Sequence, residues 1–148
     1  MDFLPLLREV VRSYQAFENF STPHIKSMNL TSPQFDVIAT LANQPPMTCK
    51  ALGEKTLITK GTLTGILDRL EIKEMVERIT NTEDGRSQKI QLTPKGQEVF
   101  SHAFPSHMKH LQSAFDQLSQ EEMLNLTISL KKLRDAMEKL TPHLKEQQ

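Results

Sequence analysis

The chain has 148 residues, 18 basic against 18 acidic side chains and no formal net charge, so it is one domain's worth of sequence, long enough to bury a real core. That balance argues against a general polyanion binder of the histone-like kind, and a lone cysteine, Cys49, excludes an intramolecular disulfide scaffold. Met1 to Glu9 lacks a basic leader and breaks its apolar run with charges, and no run of about 18 apolar residues occurs anywhere, so neither signal peptide nor membrane span is expected and the cytoplasm is the expected compartment.

Phe3, Leu7, Val10, Tyr14 and Phe17 recur at spacings of four, three, four and three, broadened by Leu6, Val11 and Phe20. This is the stripe of a helix that needs a helical partner. Ser21-Thr22-Pro23 is expected to end or bend it, because proline disfavours helix at the residue before it. Ile25 to Leu30 leads to Thr31-Ser32-Pro33-Gln34, a capping box with proline in the first turn. Phe35, Ile38, Leu41 and Ala42 form the buried face of a second helix, stopped at Asn43-Gln44-Pro45-Pro46. Thr48 is the expected N-cap of a short third helix, Cys49 to about Lys55, with Ala51 and Leu52 inward. Leu57 and Ile58 turn into the fourth.

In that fourth helix Leu63, Ile66, Leu67 and Leu70 fall at i, i+3, i+4 and i+7, one apolar stripe. The opposite side carries Gly61, Thr62, Gly65, Asp68 and Arg69. Two interior glycines one turn apart each cost roughly 1 kcal/mol relative to alanine, and close approach of another surface, such as the floor of a DNA major groove, would offset that. Met75 to Thr80, the turn-rich Asn81 to Gly85, and Arg86 to Leu92 follow as a hairpin with a cationic tip and return arm. Thr93-Pro94 then restarts a helix as N-cap and first residue.

That helix is expected to run from Pro94 to about Leu118, with Val99, Phe100, Ala103, Phe104, Met108, Leu111 and Phe115 apolar and a kink or break near Ala103 to Pro105. Ser119-Gln120-Glu121-Glu122 is a second capping box. Met123, Leu126, Leu130, Leu133, Met137, Leu140 and Leu144 then form a near-heptad seam. This seam and the N-terminal one each need apolar cover, which two copies of the chain packing together would supply.

The fold class is therefore mainly α with a two-stranded β wing. A winged helix-turn-helix domain occupies 31–96, after an N-terminal dimerisation helix and connector over 1–30. Linker and dimerisation helices occupy 97–148. In such a domain the second helix of the pair enters the major groove. A two-fold dimer would read an inverted repeat with half-sites about one helical turn apart.

Leu67-Asp68-Arg69-Leu70-Glu71, Met75-Val76-Glu77-Arg78, Asp84-Gly85-Arg86 and Leu92-Thr93-Pro94-Lys95-Gly96, in that order and spacing, resemble the MarR family of bacterial transcriptional regulators. The resemblance spans nearly the whole chain. It implies a homodimer with recognition helices in successive major grooves, Arg86 of the wing in the adjacent minor groove, and Asp68 able to pair with that arginine. It also implies a small lipophilic or phenolic effector bound between the dimer and DNA-binding lobes, for which Phe17, Phe20, His24, Ile25, Met28 and Phe35 are the candidate lining. One departure is Glu74, where the family often has glycine.

On this reading Lys60, Thr62 and Thr64 are candidate base contacts and Gly61 and Gly65 permit approach. Thr59 is a cap at the edge of the same DNA-binding set, Arg69 and Lys89 are phosphate contacts, and Arg86 reads minor-groove width and charge. From Thr48 to Gly96 nine basic residues face seven acidic ones, so several acids are expected to pair internally or face away from DNA. Two other functions compete with a ligand-responsive repressor. One is a redox-sensing regulator using Cys49, at a helix N-terminus beside Lys50. The other is a protein-interaction module without DNA binding, which calls for an acidic or apolar outer helix face where this one has threonine, glycine and arginine. Gly53-Glu54-Lys55-Thr56 ends like a phosphate loop but lacks the upstream glycine, and no HExxH, GxSxG, GxGxxG or CxxC occurs, so no enzyme and no cofactor are expected. His107 and His110, with His102 before them, are read as solvated surface histidines and no metal site is expected.

Overall fold

Helix α1 runs over Leu4–Ser27 and does not end at Pro23, where an end or a bend is expected. In this computed structural model, which describes residues 1–80, 85 and 87–141, the reason lies in what flanks the proline. Pro23 faces solvent, as does Asn19, whose carbonyl loses its partner, while Ser21 and Ile25 on either side are buried. The exposed position leaves the freed carbonyl open to solvent, and packing on either side holds the helical path. The same holds in α5, Pro94–Phe115, which passes through Pro105 without a break: Pro105 and Ser101 are exposed, and Ala103 and His107 are buried.

The helix ends follow the local chemistry. Helix α2 spans Ser32–Leu41 behind a complete capping box, with Gln34 N–H donating to Thr31 Oγ1 at 3.2 Å and Thr31 N–H to Gln34 Oε1 at 3.1 Å. Helix α3, Cys49–Thr56, is capped by Thr48. It ends at Leu57 in the left-handed region, φ 60°. Helix α4 covers Lys60–Ile72 and buries Leu63, Ile66, Leu67 and Leu70, the expected stripe. Thr93 Oγ1 receives the Gly96 N–H at 3.0 Å at the start of α5.

Strands β2, Val76–Thr80, and β3, Gln88–Leu92, pair antiparallel with Val76 opposite Leu92 and Arg78 opposite Ile90. The sheet has a third member that periodicity did not reveal: β1, Met47–Thr48, joins the free edge of β3 with Met47 opposite Ile90, giving the order β1-β3-β2. Two residues are too few to display alternation. Helices α2, α3 and α4 and this sheet enclose a core of Val37, Ile38, Leu41, Leu52, Leu63, Leu67, Leu70, Val76 and Ile90, to which Ile25 of α1 and Ala103 of α5 also belong.

The chain divides into two compact units, Met1–His110 and Leu111–Gln148. In the first, α1 is exposed along nearly its whole length from Leu4 to Phe20, including Leu6, Leu7, Val11, Tyr14 and Phe17. In the second, α6, Gln120–Leu140, has a capping box from Ser119 to Glu122 and no buried residue. Leu126, Leu130, Met137 and Leu140 of its seam are open, and Leu144 lies outside the described residues. Among the described residues no helix is long and apolar enough to cross a membrane.

Candidate nucleic-acid interface

The burial of one side of α4 fixes what the other side presents. Lys60, Gly61, Thr62, Thr64, Asp68 and Arg69 are exposed and Gly65 is half-exposed. Among the described residues a β-carbon added at Gly61 or Gly65 would meet nothing within 4 Å, so no packing among them requires either glycine. The threonine hydroxyls are already engaged: Thr59 Oγ1 donates to Thr62 Oγ1 at 3.1 Å, and Thr64 Oγ1 donates back to the Lys60 carbonyl at 3.0 Å. Thr59 occupies the N-cap position, but its side chain caps no backbone N–H. Thr64 therefore offers a methyl group and a committed hydroxyl, while Thr62 keeps its own hydrogen to donate.

Lys89 sits half-buried in the centre of the sheet, opposite Thr48 on one side and Ile79 on the other. Arg86 lies outside the described residues, and with it the pairing of Asp68 with the wing arginine. Asp68 instead shows a second partner that the sequence reading did not assign. Arg78 of β2 donates from Nη2 to Asp68 Oδ1 at 2.8 Å and from Nη1 to Glu71 Oε2. Burial disfavours the guanidinium charge, but the two carboxylates outweigh that and its pKa is raised. One arginine thus ties the wing to α4. Asp68 and Glu71 lie three apart on one helix face, which was the available signal.

Lys73, counted among the bases of this segment, is also spent internally. Its Nζ donates to the Asn29 carbonyl at 3.0 Å and to Gln34 Oε1 at 3.3 Å, pinning the α1–α2 turn to the end of α4. Glu74 next to it has φ 62°, and Met75 N–H returns to the Leu70 carbonyl. A left-handed residue is needed here, which explains why glycine is common at this place in the resembled family.

Of the six candidate effector residues, Ile25 and Phe35 are core side chains, Met28 packs against the core, and Phe17 is exposed. Phe20 and His24 both stack on His110, each with ring centroids 4.2 Å apart. His107 is buried, not solvated as expected, because it fills the space between Ser21, His24 and Phe35. An open groove of about 510 Å³ runs beside α5, lined by Lys95, Glu98, Val99, His102, Ala103 and Ser106, and Met28 is the one effector candidate that reaches it. Cys49, the first residue of α3, is half-buried against the core. Among the described residues no group of three metal-binding side chains is assembled.

Residues 30–88 match the model of the MarR family. Across 124 residues the chain is 33% identical to the HTH-type transcriptional regulator SarZ of Staphylococcus haemolyticus, covering 84% of this chain and 78% of that one. The chain belongs to the MarR family. A MarR-family chain is a helix-turn-helix transcriptional regulator, not an enzyme, and α3 and α4 with the β2–β3 wing are its winged helix. Solved MarR-family structures agree. A cysteine-to-serine mutant of MarR from E. coli, complexed with operator DNA, superposes with a TM-score of 0.81 at 26% identity, covering 88% of this chain and 94% of that one. NadR in complex with 4-hydroxyphenylacetate gives a TM-score of 0.69 at 26% identity, covering 84% and 88%.

Proposed function

We propose that this MarR-family chain is a ligand-responsive repressor that binds an inverted-repeat operator as a homodimer. The observation that carries the reading is the outward face of α4, where Gly61 and Gly65 leave the backbone open to an approaching surface and no neighbour among the described residues uses the space. The operator complex of the E. coli relative supports it. Residues 31–96 read the duplex: Lys60, Thr62 and the Thr64 methyl touch base edges, Arg69 and Lys89 hold phosphates, and Arg86 enters the minor groove. Residues 1–30 and 97–148 carry the second copy through the apolar faces of α1 and α6. The effector is a small aromatic compound bearing a hydroxyl, a class supported by the 4-hydroxyphenylacetate complex of NadR. Phe17, Phe20, His24 and Met28 line its site, with Ile25 and Phe35 behind them.

Retention of double-stranded genomic fragments by the purified chain, with and without hydroxylated aromatic acids, tests this. Fragments are retained without the acid and released by it. Arg86→Ala weakens binding by about 1–3 kcal/mol with the fold intact. Equal affinity for a folded Arg86→Ala dimer would remove the wing from the reading, and no retained fragment would remove DNA.

A further inference from the structure

The contact between α1 and α5 in the first unit is built on two imidazoles. His107 of α5 is 2% exposed, with Nε2 3.0 Å from Ser21 Oγ and Nδ1 2.9 Å from Nδ1 of His24 on α1. Phe35 of α2 meets the His107 ring edge-on at 5.0 Å. His110 stacks on His24 and donates from Nε2 to the Phe20 carbonyl at 2.9 Å.

Two ring nitrogens at this separation admit one hydrogen between them. When both rings are neutral, one donates and the other accepts. A first proton, taken at the half-exposed His24, leaves the contact whole: His24 Nδ1–H donates to His107 Nδ1, and His107 Nε2–H donates to Ser21 Oγ. A second proton sets N–H against N–H and places two like charges in a buried contact. We propose that the His24–His107 pair is a proton-operated latch between α1 and α5, closed with no proton or one and forced open by the second, so that acid weakens DNA binding. The last step rests on the DNA-binding reading above.

Among the described residues no anion acts on the pair to hold the second charge. The charges acting on the pair are those of the two rings and of His110, and Asp36, the acidic residue of α2, acts on Tyr14 instead. Burial first, then the neighbouring imidazoles, lowers the pKa of both His107 and His24. An unfolded chain therefore takes up these protons before the folded one does. The stabilisation is complete above the ordinary histidine range and is lost as pH falls through the lowered folded-state values.

The test uses the full chain and His24→Gln, whose amide keeps a hydrogen bond to His107 but takes no proton. Melting temperature is followed between about pH 7.5 and pH 5, together with ring-nitrogen NMR of the wild type and retention of a duplex selected by the wild type from a random pool at the higher pH. The wild type loses melting temperature more steeply than His24→Gln, and its retention falls about tenfold where the variant's falls less than about threefold. His107 stays neutral at a pH where a histidine in a short unstructured peptide is charged. Parallel melting slopes, or His107 protonating together with the peptide histidine, would overturn the latch even if the variant misfolds, since the NMR needs only the wild type. Failure of the wild type to retain any duplex at any pH would overturn the DNA step alone, because melting and NMR still judge the latch.

Discussion

Gly65 and Gly96 are the same residue under opposite constraints. A β-carbon at Gly96 would sit 2.0 Å from the Met75 carbonyl oxygen, because the first turn of α5 lies directly on the backbone entering the wing. Gly96→Ala forces that helix start to move and costs about 1–3 kcal/mol or more, read from urea unfolding. At Gly65 the added methyl meets nothing, so Gly65→Ala stabilises α4 by about 0.5–1 kcal/mol in the same assay while weakening duplex retention. Opposite signs for stability and binding distinguish a surface held open for a ligand from an incidental glycine, and unchanged binding would favour the latter. The outward place of Gly61 and Gly65 was legible in the spacing of the leucines around them. The need at Gly96 was not, since the atom that imposes it arrives from another element. His107 was misread for the same reason: a histidine on an amphipathic helix carries no local mark of the Ser21 and His24 side chains that cover it.

At the scale of elements, Glu74 holds the turn between α4 and β2 at φ 62° with a side chain that dislikes it. Glu74→Gly relieves that and raises stability by about 1 kcal/mol in chemical denaturation; a loss would show that Glu74 has a compensating contact. The starts of α2 and α6 were legible because the cap is a contact within three residues, Thr31 with Gln34 and Ser119 with Glu122, whereas Thr59 at the start of α4 caps no backbone N–H. The continuation of α1 past Pro23 and the unbroken passage of α5 through Pro105 were not legible. The rule that proline breaks a helix is local, and buried residues on either side of Pro23 and Pro105 override it. The wing was readable from alternation in β3. Its third strand was not, being too short to have a period, and neither was the Arg78 tie to Asp68 and Glu71, which closes only when the hairpin folds back on α4.

At the scale of the whole molecule, α1 and α6 each leave an apolar seam open among the described residues, and both seams were visible in the sequence. Leu6, Leu7, Val11, Tyr14 and Phe17 of α1 and Leu126, Leu130 and Met137 of α6 are exposed in the single chain, and the proposed dimer is what would cover them. Lys73 and Arg78 are spent on internal contacts, and the proposed function adds to the remaining cations a second reading head acting with the first. The account stands or falls on that pairing. A footprint of the purified chain on its own retained genomic fragment, with light scattering of the same sample, measures it directly. The account predicts a dimer protecting two inverted half-sites whose centres lie about 10–10.5 base pairs apart. A monomer in solution, or protection of a single unrepeated half-site, would contradict it.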